Sequence, residues 1–136
     1  MAFSIVHTDH ALQAWEYIPA DAGTYTAGQA LKISNGKLTK VTPALTTVPP
    51  YICMTNRTVL AGETIPVIRV TELTTFEVPL STTTAGAKPG ALLQVADGGI
   101  EVNQTAAGSF EVIHAAGTAK GDLITGRFKV QPGAGA

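Results

Sequence analysis

A chain of 136 residues with nine Lys and Arg against ten Asp and Glu has a net charge of −1, which excludes the clustered basic surface expected of a nucleic-acid binder. Only 14% of its residues are charged, against roughly 25% in an average soluble domain, while Thr and Ala number 19 and 20; so little charge suits a surface partly covered by partners. The length allows one domain with one core, and a single cysteine, Cys53, excludes an intrachain disulfide.

Residues 1–20 read as a loose N-terminal arm leading into a strand. They hold two of the three His, the only Trp and one Tyr. Trp15-Glu16-Tyr17-Ile18-Pro19 alternates aromatic and polar positions before a Pro stop. Asp9 offers the alternative of capping a short helix over Ala11 to Trp15. The opening has no charged region followed by an apolar one, so no leader is expected. No apolar run approaches the ~20 residues of a membrane span, and a soluble protein made in a cytoplasm is expected.

From Leu31 to Val41 the pattern is a hairpin. Asn35-Gly36 between alternating residues calls for a two-residue turn that pairs Ile33 with Leu38. Thr42 to Pro50 is a turn-rich connection. Tyr51 to Thr55 reads as a buried strand and carries Cys53 as an inert core thiol. Ile65 to Val70 reads as another strand, with Pro66 at an edge position. Phe76-Glu77-Val78-Pro79-Leu80 is a short joining strand, and Ser81 to Ala87 a polar linker.

The second half then repeats the first. Gly28-Gln29-Ala30-Leu31-Lys32-Ile33-Ser34-Asn35-Gly36-Lys37-Leu38 returns as Gly90-Ala91-Leu92-Leu93-Gln94-Val95-Ala96-Asp97-Gly98-Gly99-Ile100. By this match Asp97-Gly98 turns a hairpin that pairs Val95 with Ile100 and Leu93 with Val102. Tyr51 to Met54 followed by Ala61-Gly62-Glu63 returns as Phe110 to Ile113 followed by Lys120-Gly121-Asp122. Each copy closes on an Arg-bearing strand, at Arg69 and Arg127. The expectation is an all-β fold, a small barrel or sandwich built from two duplicated β units over 22–72 and 85–130 that share one core. Ile33, Leu38, Val95 and Ile100 should be buried, and the tail 131–136 flexible. Helix signals are nearly absent.

Chemistry-bearing residues are sparse. His7-Thr8-Asp9-His10 has metal-ligating types, but a zinc site needs three or four ligands in a rigid frame and His114 is far along the chain. His114 reads as a rim histidine. No Ser or Cys nucleophile stands in a signature with His and an acid, and no Gly-rich loop is followed by Lys-Ser or Lys-Thr. Neither an enzyme nor a cofactor or metal is expected. Turn chemistry accounts for Gly62-Glu63 and Gly121-Asp122, and the two Arg are expected to pair with those acids or to face a partner.

Laid out this way, the chain resembles a bacteriophage capsid decoration (cement) protein of the small duplicated β type. The resemblance rests on Ala27 to Leu31 leading to Asn35-Gly36-Lys37-Leu38, on Tyr51 to Met54, on Ala61-Gly62-Glu63 with Ile65-Pro66-Val67, and on Phe76 to Pro79. The second round of Gly90, Leu93, Asp97-Gly98 and Gly121-Asp122 completes it, over roughly Trp15 to Val130. Pro50 stands where such proteins often have Gly. The resemblance implies a virion protein without enzymatic activity that docks on the outside of an assembled head. There it would bridge subunits of the major capsid protein, as a homotrimer or, failing that, a dimer, with no nucleic-acid or membrane contact. The candidate partner-facing residues are Phe3, Ile5, His7, His10, Leu12, Trp15 and Tyr17 in the arm, with Arg69 and Arg127. An arm of this kind would order on docking, and removing residues 2–14 would leave the core folded. A carbohydrate- or small-ligand-binding β module is the competing reading, because it too would use the aromatics.

Overall fold

The computed structural model describes residues 2–9, 14–104 and 108–129. Among them there are thirteen strands and no helix. The all-β expectation therefore holds.

The first strand, β1 (Ser4–Thr8), belongs to a sheet otherwise made by the second half of the chain: β9 (Thr74–Pro79), β10 (Leu92–Val95), β11 (Val102–Asn103), β12 (Phe110–Ala115) and β13 (Leu123–Phe128). Its order is β1-β9-β13-β12-β10-β11. The first half forms a sheet from β2 (Glu16–Pro19), β4 (Ala30–Ser34), β5 (Lys37–Lys40), β6 (Tyr51–Cys53) and β8 (Thr64–Arg69), in the order β2-β8-β6-β4-β5. A two-stranded sheet of β3 (Gly23–Tyr25) and β7 (Arg57–Val59) completes the first half. All strand pairings are antiparallel.

Apart from β1, the two large sheets run in the same order and in the same register. Tyr17 faces Pro66 as Glu77 faces Thr125, and Leu31 faces Tyr51 as Leu93 faces Phe110. Each sheet curls toward closure by one parallel bridge, Ala20 to Leu38 in the first half and Leu80 to Val102 in the second. The turns before β8 and β13 also match. The Glu63 N–H donates to the Leu60 carbonyl and the Asp122 N–H to that of Ala119. Gly62 and Gly121 sit at φ 90° and 88°, as the third position of a type II turn requires. The acid then reaches back: Glu63 Oε1 accepts from the Leu60 N–H at 2.6 Å and Asp122 Oδ2 from the Ala119 N–H at 3.0 Å.

The shared core comes out as two clusters. One fills the first barrel with Tyr25, Leu31, Leu38, Tyr51, Cys53 and Ile65 among others. The larger one fills the second barrel and runs on to the outer face of the first sheet, taking in Ala30, Ile52 and Ile68. Strand β6 is buried at all three residues for this reason: its alternate side chains serve different clusters. Cys53 is fully buried, its Sγ donates to the Thr55 carbonyl at 3.2 Å, and burial pushes its thiol pKa up.

Three expectations are corrected. The hairpin at Asn35-Gly36 forms as expected, with Asn35 at φ 52° and Gly36 at 76°, but its second-half counterpart does not. There Val95 pairs with Val102 and Gln94 with Asn103, so Ala96 to Glu101 form a longer loop. That loop is drawn into the joint between the halves: the Gly98 N–H donates to the Val41 carbonyl, the Ala30 N–H to that of Gly99, and Gln29 Nε2 to that of Gly98 at 2.8 Å. Ile33 is 47% exposed, whereas Val95 at the matching position is fully buried and its backbone is bridged on the far side by Leu45; among the described residues Ile33 makes no such bridge. Ile100 is half-buried. Pro66 lies in an interior strand, and its carbonyl accepts from the Met54 N–H just past the end of β6, where the missing Pro donor has no ladder to break. The joining strand is β9, an interior and largely buried element. The tail 131–136 lies outside the described residues.

Candidate interaction surface

The arm is the largest departure. Residues 4–8 pair with β9, and Phe3 is only 3% exposed. All four phenylalanines of the chain meet there. The Phe3 ring centroid lies 5.9, 5.7 and 5.3 Å from those of Phe76, Phe110 and Phe128, distances at which edge-on aromatic pairs attract. Its N–H donates to the Gly28 carbonyl at 2.9 Å. Gly28 is required beneath it: a Cβ there would stand 2.8 Å from the Phe3 carbonyl oxygen and 2.9 Å from the Ala2 Cβ. Phe3 is therefore a core residue with almost no surface to offer a partner, and removing residues 2–14 would take a strand and an aromatic out of the fold.

One segment thus supplies the outermost strand of both sheets, β1 for one and β2 for the other. On β1 the register slips between Ile5 and His7, a bulge that re-aims side chains. Val6 at the bulge is 56% exposed, while Ile5 packs partly against the core. His7 Nε2 stands 3.0 Å from Asp9 Oδ1, and the other Asp9 oxygen accepts from Arg127 at 3.0 Å. The Asp9 N–H also donates to the Leu73 carbonyl. Asp9 therefore ties the end of β1 to β13 and to the turn before β9. His10 and Leu12 lie outside the described residues.

Trp15, just before β2, and Tyr17 on it are 52% and 66% exposed. Between them Glu16 turns to the other face and accepts hydrogen bonds from Nε and Nη2 of Arg69, at 3.2 and 3.0 Å. The Arg69 guanidinium also stacks over the Tyr51 ring at 5.2 Å. Neither candidate Arg pairs with the turn acids, since Arg127 takes Asp9 and Glu63 lies 3.8 Å from Arg57. Nor are the two Arg equivalent. In the matched registers Arg69 corresponds to Phe128 and Arg127 to Ile68, a one-residue offset that puts them on opposite faces.

The nine sequence-predicted residues therefore do not form one patch. The structure brings together His7 and Arg127 through Asp9, and separately Tyr17, Trp15 and the Glu16–Arg69 pair. Sequence reasoning passed over Val6 and Leu73, and took Asp9 for a helix cap or a metal-ligating type rather than for a tether. Alternation assigns Val6 to a face without foreseeing the bulge, and Asp9 meets Arg127 across 118 residues of sequence. Among the described residues no group of three His, Cys, Asp or Glu is placed to hold a metal ion. A shallow depression of about 320 Å³ opens elsewhere, between Asp21, Tyr25, Thr39, Lys40 and Thr42. Burial, and then the Asp21 carboxylate, raises the Tyr25 phenol pKa.

A pH effect follows from the Asp9 tether. Partial desolvation raises the Asp9 pKa, but the Arg127 guanidinium and the hydrogen bonds from His7 and Arg127 outweigh it and hold the carboxyl below its ordinary 3.8. A depressed carboxylate stabilises above its unfolded pKa, and that contribution is lost as pH falls through the folded one. Between pH 5 and 7 the contribution is complete; below pH 3.8 it fades. The protection of the β1 amides, measured relative to the intrinsic exchange rate at each pH, should therefore fall below pH 3.8 in the wild type, and Asp9→Asn should show the lower protection already at pH 6, without that acid step.

No family model and no curated protein sequence matches this chain.

Proposed function

We propose that the chain is a structural virion protein, without enzymatic activity or cofactor, that binds the outer surface of an assembled bacteriophage head and bridges neighbouring major capsid protein subunits. The observation that carries the reading is the matched strand order, register and turn bonding of the two barrels, which supports two copies of one unit, as in the decoration proteins the sequence resembles. Many weak, identical contacts on a symmetric lattice give firm attachment through multivalency. The surface offered to the coat is the β1 side, with Val6, His7 and Leu73 around the Asp9–Arg127 pair.

Co-sedimentation with purified heads of a phage carrying the gene tests this. Wild-type protein should pellet with the heads. Val6→Asp, at an exposed bulge, should keep the far-UV spectrum and weaken attachment about tenfold or more, the loss expected when an apolar contact is replaced by a buried charge. Wild-type protein that stays in the supernatant would overturn the reading. The alternative of a small polar-ligand module draws on the depression beside Tyr25 and Lys40; glycan binding by a protein that ignores heads would favour it.

A further inference from the structure

The chain has three asparagines, and the fold ties down two of them. Asn56 Oδ1 accepts from the Ala27 N–H at 3.0 Å. Asn103 Oδ1 accepts from Gln94 Nε2 and its Nδ2 donates to Ser81 Oγ, both at 2.8 Å. Asn35 stands at the exposed tip of the β4–β5 hairpin, and among the described residues neither its side chain nor the Gly36 N–H makes a hydrogen bond. Asn56 and Asn103 are followed by Arg57 and Gln104, whereas Asn35 is followed by Gly36, which has no Cβ to shield its own amide nitrogen.

An amide carbon beside an unshielded backbone nitrogen is an electrophile next to a nucleophile. The Gly36 nitrogen gives its proton to a base of the solvent and bonds to Cγ of Asn35. The Cγ–Nδ2 bond then breaks, and the Nδ2 group takes up a proton and leaves as ammonia. A five-membered succinimide remains. Water, the one co-reactant consumed, opens the ring at either carbonyl. Opening at Cγ gives an aspartate at position 35; opening at the main-chain carbonyl gives isoaspartate, whose backbone runs on through the side-chain carbon.

Ring closure needs the Asn35 main-chain carbonyl to swing aside so that the Gly36 nitrogen can reach Cγ. Little opposes that rotation. The turn has two residues, at φ 52° and 76°, and the nearest rung is Ser34 to Lys37. Residues 33–36 are exposed, and a Cβ built on Gly36 would meet nothing within 4 Å. Asp97-Gly98 has the same local chemistry in opposite surroundings. The Gly98 N–H donates to the Val41 carbonyl at 2.7 Å and the Gly98 carbonyl accepts from Gln29 Nε2 at 2.8 Å. The joint between the halves must open before that nitrogen can attack.

We propose that Asn35 is a self-modification site: the folded protein converts its hairpin tip to aspartate and isoaspartate through a succinimide formed with Gly36, while Asp97-Gly98 stays locked. The reaction adds a negative charge to a hairpin that carries Lys32, Lys37 and Lys40 and no acid. Isoaspartate also lengthens a loop whose length sets the pairing of Ile33 with Leu38. The protein therefore ages into forms that differ in charge and in turn geometry at one exposed tip. The inference stands whether or not the chain decorates a head.

Full chain, folded or held in guanidinium chloride, is incubated in mildly alkaline buffer, and its tryptic peptides are weighed against those of unincubated protein. The peptide 33–37, released by cleavage after Lys32 and Lys37, should gain one mass unit in the folded sample. Its rate should lie within about thirtyfold of that in denaturant, because exposed turn tips open locally at little cost. The product should accept methyl groups from an isoaspartyl methyltransferase used as a reagent, which direct hydrolysis to aspartate would not allow. Isoaspartate at Asp97 should form in denaturant and at least about a hundredfold more slowly in the folded chain, whose joint opens only with much of the fold. Asn35→Asp should keep the far-UV spectrum and show no mass gain at 33–37, yet still yield isoaspartate there through the same ring. A 33–37 peptide that keeps its mass in the folded chain while gaining in denaturant would overturn the proposal. So would an equal gain at Asn56 or Asn103, a gain without isoaspartate, or isoaspartate at Asp97 forming as fast in the folded chain as in denaturant.

Discussion

Phe3→Ala lowers the free energy of unfolding by about 3–5 kcal/mol, the usual cost of emptying a buried aromatic site. The value belongs near the upper end of that range because collapse cannot refill the space. The neighbouring Phe76, Phe110 and Phe128 rings are held by strands of one sheet and are themselves fully buried. The ring also anchors β1, whose other ties include its ladder to β9, the partly buried Ile5 and the exposed Asp9 contacts. Urea unfolding should show the drop in midpoint, and hydrogen exchange should show β1 losing protection before β13. A change below 1 kcal/mol, with β1 exchange unaltered, would mean that the N-terminal segment is peripheral to the core. Ser4→Ala, at an exposed position of the same strand, should stay within about 0.5 kcal/mol of wild type.

Gly99→Ala should cost about 2–5 kcal/mol, combining the strain of a left-handed L residue with a backbone collision. Gly99 has φ 79°, and a Cβ there would meet the Ala30 carbonyl, which is backbone and cannot swing away. The hydrogen bond from the Ala30 N–H to the Gly99 carbonyl would break with it. Gly98 is the internal control. Its φ is 96°, yet a Cβ there meets nothing within 4 Å, so Gly98→Ala should carry only the conformational part, about 1–2 kcal/mol. Thermal or denaturant unfolding of both variants separates the two contributions. Equal costs would show that the loop Ala96 to Glu101 does not press on the first half. Because this loop joins the halves, Gly99→Ala should also broaden the unfolding transition as the halves lose cooperativity.

Much of the fold was legible locally. Asn35-Gly36 identified its hairpin because a two-residue turn with both residues at positive φ admits few other sequences. Gly62-Glu63 and Gly121-Asp122 announced matched turns for the same reason. The second hairpin was misread because Asp97-Gly98 satisfies the same local rule. Its true register was chosen by hydrogen bonds to Val41, Ala30 and Gln29, partners between 57 and 69 residues away in sequence. The Arg69 and Arg127 match failed in a related way: a one-residue offset is invisible to composition but reverses the face of a strand. Of the candidate surface, Trp15 and Tyr17 were found because alternation before Pro19 leaves two large aromatics on one side. Val6 and Leu73 carried no local signal, and that of Asp9 pointed to a cap rather than to Arg127.

The sequence alone determined that this is an all-β chain of short strands, where the tight turns lie and that its second half follows the pattern of its first, because turn chemistry and period-two alternation act over a few residues. Only the tertiary structure decided that the N-terminal segment is a strand with Phe3 in the core and that one barrel lends its outer face to the other. Those outcomes depend on which surfaces meet after the chain has folded back on itself. Burial of a residue such as Phe3 is set by rings at positions 76, 110 and 128, and no pattern within its own strand records them.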